Sequence, residues 1–308
     1  MTAPPQVVLS VTPGAPDPGP EGGGMFHALR TLLVRLFRDK PLGAAGGVVC
    51  VLFLICGIFA NLIAQHGFND VAMLHRLKPP SWQFPFGTDN LGRDVLSRCV
   101  YGARVSVIIA LAGASLATVI SCLLGVVTGY VGGRADMLMQ RFVDAWMSFP
   151  DLVILIVVVS VFGPGVPTIV CTLGLLFGIG GSRVVRSAVV GVREQTYVHA
   201  AQSIGASTGR ILWRHILPNI LPPVIVLFTT RLGGAILAES ALSFLGLGVP
   251  PPAPTWGGML SGAGRTYMFQ QPWLALAPGL CITFVVFSTN VFGDALRDLL
   301  DPRMRGSR

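Results

Sequence analysis

The amino-acid sequence predicts an all-α protein, a bundle of six transmembrane helices whose two ends both lie in the cytoplasm. Hydrophobic residues make up 52% of the 308 residues and charged residues only 12%, too few for the surface of a water-soluble domain. The apolar residues are clustered in several runs of about 20, the length that a helix needs to cross a bilayer. Basic residues stand at the ends of these runs, where they orient membrane spans.

The N-terminal region precedes the first apolar run. Residues 1–24 are rich in Pro and Gly and are predicted to be a disordered tail. They lack the short apolar core of a cleavable signal peptide. Residues 25–41 place Arg30, Arg35, Arg38 and Lys40 among apolar residues. This pattern predicts an amphipathic helix that lies on the membrane surface.

Residues 42–296 form the predicted transmembrane domain, and residues 297–308 form a cytoplasmic tail. The fourth span has the least distinct sequence pattern, because Gly178, Gly180 and Gly181 mark its end and Arg183 follows closely. The six predicted spans are residues 42–64, 105–130, 143–162, 166–181, 220–245 and 274–292.

The distribution of basic residues sets the orientation. With the N-terminus inside, the cytoplasmic segments hold fifteen Lys and Arg residues and the outer segments hold six, which favours both ends in the cytoplasm. The formal charge of +8 follows from these flanking positions. Because the basic residues form no continuous face, we expect no nucleic-acid partner.

The second span carries a stripe of small residues. Gly113, Ala117, Ser121 and Gly125 recur at every fourth position, and Gly129 continues the series. On a helix they form one smooth face that a second helix can approach closely. The stripe is explained either by packing within this chain or by a contact with another subunit or the pore.

Residues 193–218, between the fourth and fifth spans, are too polar to cross lipid but carry a helical pattern. Apolar residues at 197, 200, 201 and 204 follow helical spacing, and Gly205 then provides a helix stop. Ser207 is a predicted cap for a second short helix, with Arg210 and Arg214 on one face. Pro218, Pro222 and Pro223 mark the entry into the fifth span. Two short helices are therefore predicted below the membrane.

No catalytic motif is present in the sequence. Neither of the two lysines, Lys40 and Lys78, completes a Gly-rich P-loop, so ATP hydrolysis, if used, takes place on other chains. The six cysteines show no metal-binding spacing. Asp144 and Asp151 share one predicted helical face. Two interpretations are open: a catalytic carboxylate pair, or carboxylates placed at a helix start or paired with charges on other helices, and the second is favoured.

Two charged residues, Arg231 and Glu239, lie within the fifth span. Charges at this depth are costly and usually face protein or water. Three explanations are open for these two residues: they line a substrate pathway, they pair with each other, or they pair with a neighbouring helix.

Eight segments of the sequence together form a specific pattern. They are Phe86 to Asp94, Tyr197 to Ala201, Gly205 to Ser207, Arg214 to Asn219, Ala238 to Ser240, Leu242 to Gly248, Gly293 to Asp298 and Asp301 to Arg303. In combination they resemble the ABC importer permeases of the dipeptide/oligopeptide/nickel branch, the DppC/OppC-like subunits. The loop 193–218 is similar to the EAA loop of these permeases, except that His199 stands where an acidic residue is expected.

This resemblance implies a type I ABC importer permease fold in the bacterial inner membrane. It also implies four kinds of partner: a homologous DppB/OppB-like permease, two ATPase subunits that bind ATP and Mg²⁺, an external solute-binding protein, and a peptide substrate. No cofactor is expected on this chain. The residues expected to couple to the ATPase are Tyr197, His199, Ala200, Ala201, Gly205, Ala206, Ser207, Arg214 and Pro218, and the candidate pathway or gate residues are Arg231, Glu239 and Ser243.

Three other functions remain as alternatives. Within the same family, the substrate could be nickel, haem or another small solute. A stand-alone secondary transporter would show an inverted repeat, and none is evident here. A membrane-bound enzyme would need a catalytic motif, which the sequence lacks.

Overall fold

The computed structural model describes residues 25–300, and for residues 25–29 the backbone alone. The predicted tail 1–24 and residues 301–308 of the C-terminal tail lie outside this range. The described chain is helical apart from its loops and a single β-bridge between Thr88 and Asp94. Its helices are α1 Met25–Asp39, α2 Pro41–Ile58, α3 Ala60–Ile63, α4 Val95–Val131, α5 Gly133–Met147, α6 Asp151–Phe162, α7 Val166–Arg193, α8 Thr196–Ser203, α9 Thr208–Ile211, α10 Leu217–Phe244, α11 Trp256–Met259, α12 Arg265–Tyr267 and α13 Trp273–Leu300.

The first and last long helices meet at one end of the bundle. Lys40 Nζ lies 2.5 Å from Asp298 Oδ2, which joins the start of α2 to the end of α13. Further along the same pair of helices, Gly46 faces the backbone of Ser288. Because the residue numbers fall along α13 as they rise along α2, the two helices are antiparallel. Both ends of the described chain therefore lie on the same side, as the sequence predicted.

The longest helix contact joins α4 and α7, which run parallel. Gly113 faces Leu173, Gly125 faces Val185 and Gly129 faces Val189, so residue numbers rise together along both helices. The chain between these two helices must consequently return from one end of the bundle to the other. Helices α5 and α6 make this passage with a bend of 82° between them. Together with the five long apolar helices, the passage gives six crossings.

The third crossing differs from its prediction, because residues 143–162 are divided between α5 and α6 rather than forming one span. Pro150 causes the break. Proline has no N–H to continue the helix, and it also disfavours helical geometry at the preceding residue, Phe149.

Other predicted span boundaries are corrected too. The fourth span does not end at Gly181, because α7 continues to Arg193. The second begins ten residues earlier than predicted, at Val95, where the Asp94 side chain accepts a hydrogen bond from the Ser97 N–H (2.9 Å) and caps the helix. The first is interrupted at Phe59, between α2 and α3.

The stripe of small residues on α4 packs against α7 of the same chain. Ser121 Oγ donates a hydrogen bond to the Gly178 carbonyl (2.8 Å), and Ala117 is buried. This is the within-chain explanation of the stripe. Gly178 and Gly181, which the sequence suggested as a helix end, instead allow this close approach.

Candidate functional site

Helix α8 lies at the end of the bundle where both described chain ends meet. It follows α7 and precedes α10, whose first turns share a cavity with Arg297 and Leu300 at the end of α13. Arg193, the last residue of α7, donates from Nη1 to the carbonyl oxygens of Gly129 (3.4 Å) and Tyr130 (3.1 Å). The start of the loop is thereby fixed to the end of α4.

The inner face of α8 is packed into the bundle. Val198 is fully buried and Ala201 nearly so. The packing partners of Val198 come from α7 and from the helix that leads into α10. This buried cluster consists of Val185, Val189, Val198, Ile211, Ile216, Ile220 and Leu227. The sequence pattern missed Val198, and it grouped Ala201 with Tyr197 and Ile204, which the structure places on the exposed face.

The outer face of α8 is exposed and partly apolar. Tyr197 is 43% exposed and Ile204 85% exposed, and Trp213 just beyond is 77% exposed. His199 and Ala200 share this exposed surface. His199 Nε2 lies 3.8 Å from Glu194 Oε2. The loop therefore presents apolar side chains to the solvent from a well-packed base.

The turn after α8 depends on Gly205, whose φ of +77° is in the left-handed region. The Gly205 N–H donates to the Gln202 carbonyl (2.9 Å), and the Ala206 N–H donates to the Ala201 carbonyl (3.0 Å). These bonds satisfy carbonyl groups at the helix end. The predicted helix stop is confirmed. Ser207 takes the capping position of the next helix, but its side chain makes no capping hydrogen bond.

The second predicted short helix is not separate from the fifth span. Residues Thr208–Phe244 form one continuous helix of 37 residues, with a π-helical turn at Leu212–Ile216. Pro218 stands in the first turn after this wider turn, and Asn219 Nδ2 donates to the His215 carbonyl (2.6 Å). The prolines thus lie inside a helix that carries Arg210 and Arg214 at its exposed base.

The structure separates the two charged residues of α10. Glu239 is fully buried and accepts hydrogen bonds from Ser243 Oγ (2.6 Å) and Ser106 Oγ (3.4 Å). The Arg231 guanidinium carbon lies 4.9 Å from the ring centroid of Phe177. Arg231 and Glu239 therefore do not pair with each other, and each has its own surroundings.

The two acidic residues proposed as a pair are likewise apart. Asp144 lies on α5, where it forms ion pairs with Arg183 and Arg141. Asp151 begins α6 beyond the bend and lines a cavity with Arg231. Pairing with other helices is thus the explanation that holds for Asp144.

At the opposite end of the bundle lies a cavity of about 640 Å³, bordered by Asp89, Arg93, Ser243 and the Pro-rich loop that follows α10. Asp89 accepts hydrogen bonds from the N–H groups of Leu91 and Arg93 and from Arg93 Nε (2.7 Å). Ser243 reaches this cavity while its hydroxyl is bonded to Glu239. The sequence placed these motifs far apart, and only the fold brings them together.

Comparisons with known proteins agree with this architecture. Residues 121–306 match the family model described as the binding-protein-dependent transport system inner membrane component. The chain is 37% identical over 295 residues to the dipeptide transport system permease protein DppC of Alkalihalophilus pseudofirmus, covering 96% of this chain and 97% of that protein. It is 38% identical over 269 residues to the oligopeptide transport system permease protein OppC of Bacillus subtilis, covering 87% and 88%.

A third relative, the di/tripeptide transport system permease protein DppC of Pseudomonas aeruginosa, is 37% identical over 272 residues, which cover 86% of this chain and 89% of that protein. The similarity thus extends over most of each chain. This chain belongs to the binding-protein-dependent inner membrane permeases of ABC importers, in the branch that contains the DppC and OppC proteins, and is a multi-pass protein of the bacterial inner membrane.

Proposed function

We propose that this chain is one of two homologous permease subunits in an ATP-driven importer of dipeptides and oligopeptides. The names of its relatives support a peptide substrate. The second permease would be DppB/OppB-like, and the two subunits would enclose the pathway between them. An external solute-binding protein would deliver the peptide, and two ATPase subunits would bind ATP and Mg²⁺.

The loop 193–218 is proposed to receive force from an ATPase subunit. The observation that supports this role most strongly is the two-sided character of α8. Its outer face exposes Tyr197 and Ile204, while Val198 on its inner face is packed against both α7 and α10. A partner that holds the outer face and moves would therefore displace the bases of two membrane-crossing helices together.

Individual residues of the loop have distinct proposed roles. Gly205 permits the sharp turn, so that Ile204 projects outward. His199 lies on the exposed surface beside Glu194, and we propose that this pair replaces the acidic contact expected at position 199. Arg214 and Pro218, at the base of α10, would transmit the displacement into the helix.

The outer end of α10 is proposed to form part of a gate. Ser243 lines the cavity of about 640 Å³ at the outer end of the bundle, and its hydroxyl donates a hydrogen bond to the buried Glu239. In this role Glu239 positions the gate and does not touch the peptide, because its side chain is fully buried.

The docking proposal is tested by co-purifying the complex from cells that express all subunits. Ile204→Asp places a charge on the proposed docking surface, and since Ile204 is 85% exposed, the fold itself should tolerate it. We expect loss of most of the ATPase subunits while the second permease is retained. The matched control is Leu74→Asp, because Leu74 is 94% exposed at the opposite end of the bundle. Equal recovery of ATPase subunits with both variants would contradict the proposal.

The substrate is tested separately in proteoliposomes that contain the whole importer, with its binding protein outside. ATP-dependent uptake of a labelled dipeptide is expected, with no uptake of nickel or haem. Uptake of nickel or haem without any peptide uptake would place the chain with another substrate of the same family.

A further inference from the structure

Arg231 lies at the middle of a membrane-crossing helix. It is near the midpoint of α10, Leu217–Phe244, about 20 Å from either end at 1.5 Å per residue. A guanidinium at this depth is costly unless it faces protein or water, and such residues commonly mark substrate pathways. Its surroundings therefore need an explanation.

The guanidinium has a stacking partner but lacks an acceptor. It lies over the ring of Phe177, which holds the cation by its face. Its Nε is buried and has no hydrogen-bond partner. Within residues 25–300, no carboxylate lies within 4.0 Å of this guanidinium. A second buried donor in the same state is nearby, because Trp146 Nε1 also lacks an acceptor.

The residues that carry these two donors, Arg231 and Trp146, both line one cavity of about 320 Å³. The cavity exists because the chain bends between α5 and α6 and because Gly180, on the facing side of α7, carries no side chain. A methyl group at Gly180 would still lie 3.8 Å from Met147, so the wall is not tightly packed. The lining residues are Trp146, Met147, Phe149, Asp151, Leu176, Phe177, Gly180 and Arg231.

This lining matches an anionic ligand with an apolar body. Two unsatisfied N–H donors, one of them cationic, call for an acceptor such as a carboxylate. The rings of Trp146, Phe149 and Phe177 form apolar walls. The volume is at the small end of the range for small-molecule sites.

We infer that this cavity is a subsite for peptides in transit, in which Arg231 and Trp146 Nε1 bind the carboxylate at the peptide C-terminus. The inference rests on the proposed import of peptides. Asp151 lines the same cavity and competes with the peptide carboxylate for Arg231. That competition limits the affinity, and a transport site must release its ligand as well as bind it.

The test compares Arg231→Gln in the reconstituted importer with two substrates, a dipeptide and the same dipeptide with a C-terminal carboxamide. For each substrate the initial uptake rate of the variant is divided by that of the wild type, which cancels the selectivity of the binding protein. We expect a loss of about 10- to 100-fold for the free dipeptide, as for one charged hydrogen bond. For the carboxamide, the uptake rate should fall less than about threefold, because its C-terminus carries no charge for Arg231 to bind.

Three companion variants make the result specific. Arg35→Gln is the matched control, because Arg35 is an exposed arginine on α1, and it should change both rates by less than about twofold. Trp146→Phe keeps the ring but removes the N–H donor, and it should slow the free dipeptide more than the carboxamide. Arg231→Gln with Asp151→Asn should not recover the uptake of the free dipeptide.

Several results would overturn the subsite. Equal losses for both substrates would show that Arg231 does not sense the carboxylate. Recovery in the double variant would mean that Arg231 serves only to neutralise Asp151. Loss of the second permease on purification of Arg231→Gln would assign Arg231 to the subunit interface. Absence of any peptide uptake by the wild-type importer would instead refute the proposed function, and the subsite with it.

Discussion

The contact between α4 and α7 predicts opposite outcomes for the same substitution at two positions of one stripe. An added Cβ at Gly113 would lie 3.5 Å from Leu173 Cβ, an ordinary contact. At Gly125 it would lie 2.6 Å from Val185 Cβ, 2.7 Å from the Ser182 carbonyl oxygen and 2.9 Å from the Arg186 nitrogen. Two of those atoms belong to the backbone, so no side-chain rotation relieves the overlap.

The comparison isolates the steric cost. Replacing Gly by Ala inside a helix is favourable by about 0.5–1 kcal/mol, and this gain is shared by Gly113→Ala and Gly125→Ala. Forcing an extra carbon into a packed interface costs about 1–3 kcal/mol. We therefore expect Gly125→Ala to be less stable than Gly113→Ala by about 1–3 kcal/mol. Gly191→Ala is a control for the shared gain, since no atom lies within 4 Å of its added Cβ.

The measurement is the midpoint temperature of thermal unfolding of the purified importer. Each kcal/mol corresponds to a shift of about 2–4 °C for a domain of this order of size. Gly125→Ala should melt below the wild type, and Gly113→Ala and Gly191→Ala should melt at or above it. If Gly113→Ala and Gly125→Ala melt at the same temperature, the parallel packing of α4 on α7 described above is wrong.

Two further predictions concern the loop and the gate. Gly205→Val should lower the uptake per ATP hydrolysed, because a β-branched residue at φ +77° costs about 1–3 kcal/mol. Gly205→Asn should cost much less, since Asn tolerates this conformation. Equal effects of the two variants would show that the turn is not needed. Glu239→Ala removes the acceptor for Ser243 and should destabilise the importer by about 1–3 kcal/mol. Glu239→Gln should lower the uptake rate a few-fold at normal expression, and unchanged uptake would remove Glu239 from the gate.

The number of crossings and the helix stop at Gly205 could be predicted because each depends on local chemistry. An apolar run of sufficient length crosses the membrane wherever it occurs, and a glycine that must adopt a positive φ ends a helix whatever surrounds it. Pro150 was also visible in the sequence, but the long apolar run around it concealed the bend between α5 and α6.

Other features depend on contacts between distant segments. Gly178 and Gly181 have low helix propensity, yet they lie inside α7 because α4 packs against them. Val198, which the sequence pattern missed, faces the bundle because Val185 and Val189 on α7 offer an apolar surface there. The cavity at Arg231 requires the bend, Gly180 and α10 together, so no single segment of the sequence could predict it.

The tightly packed contacts of the bundle and the cavity at Arg231 lie between different sets of helices. Small residues let α4 and α7 approach closely along most of their length, and Arg193 fastens their ends together. Helix α8 is packed onto this pair and onto the base of α10 through Val198. If the loop couples to an ATPase subunit as proposed, a displacement of α8 would move α7 and α10 together, whereas α6 is separated from them by the bend at Pro150. The cavity at Arg231 lies between the bend that joins α5 to α6, helix α7 and helix α10. Relative movement of these elements would change the shape of the cavity, so a ligand held by Arg231 would be released by the motion that we propose the loop receives.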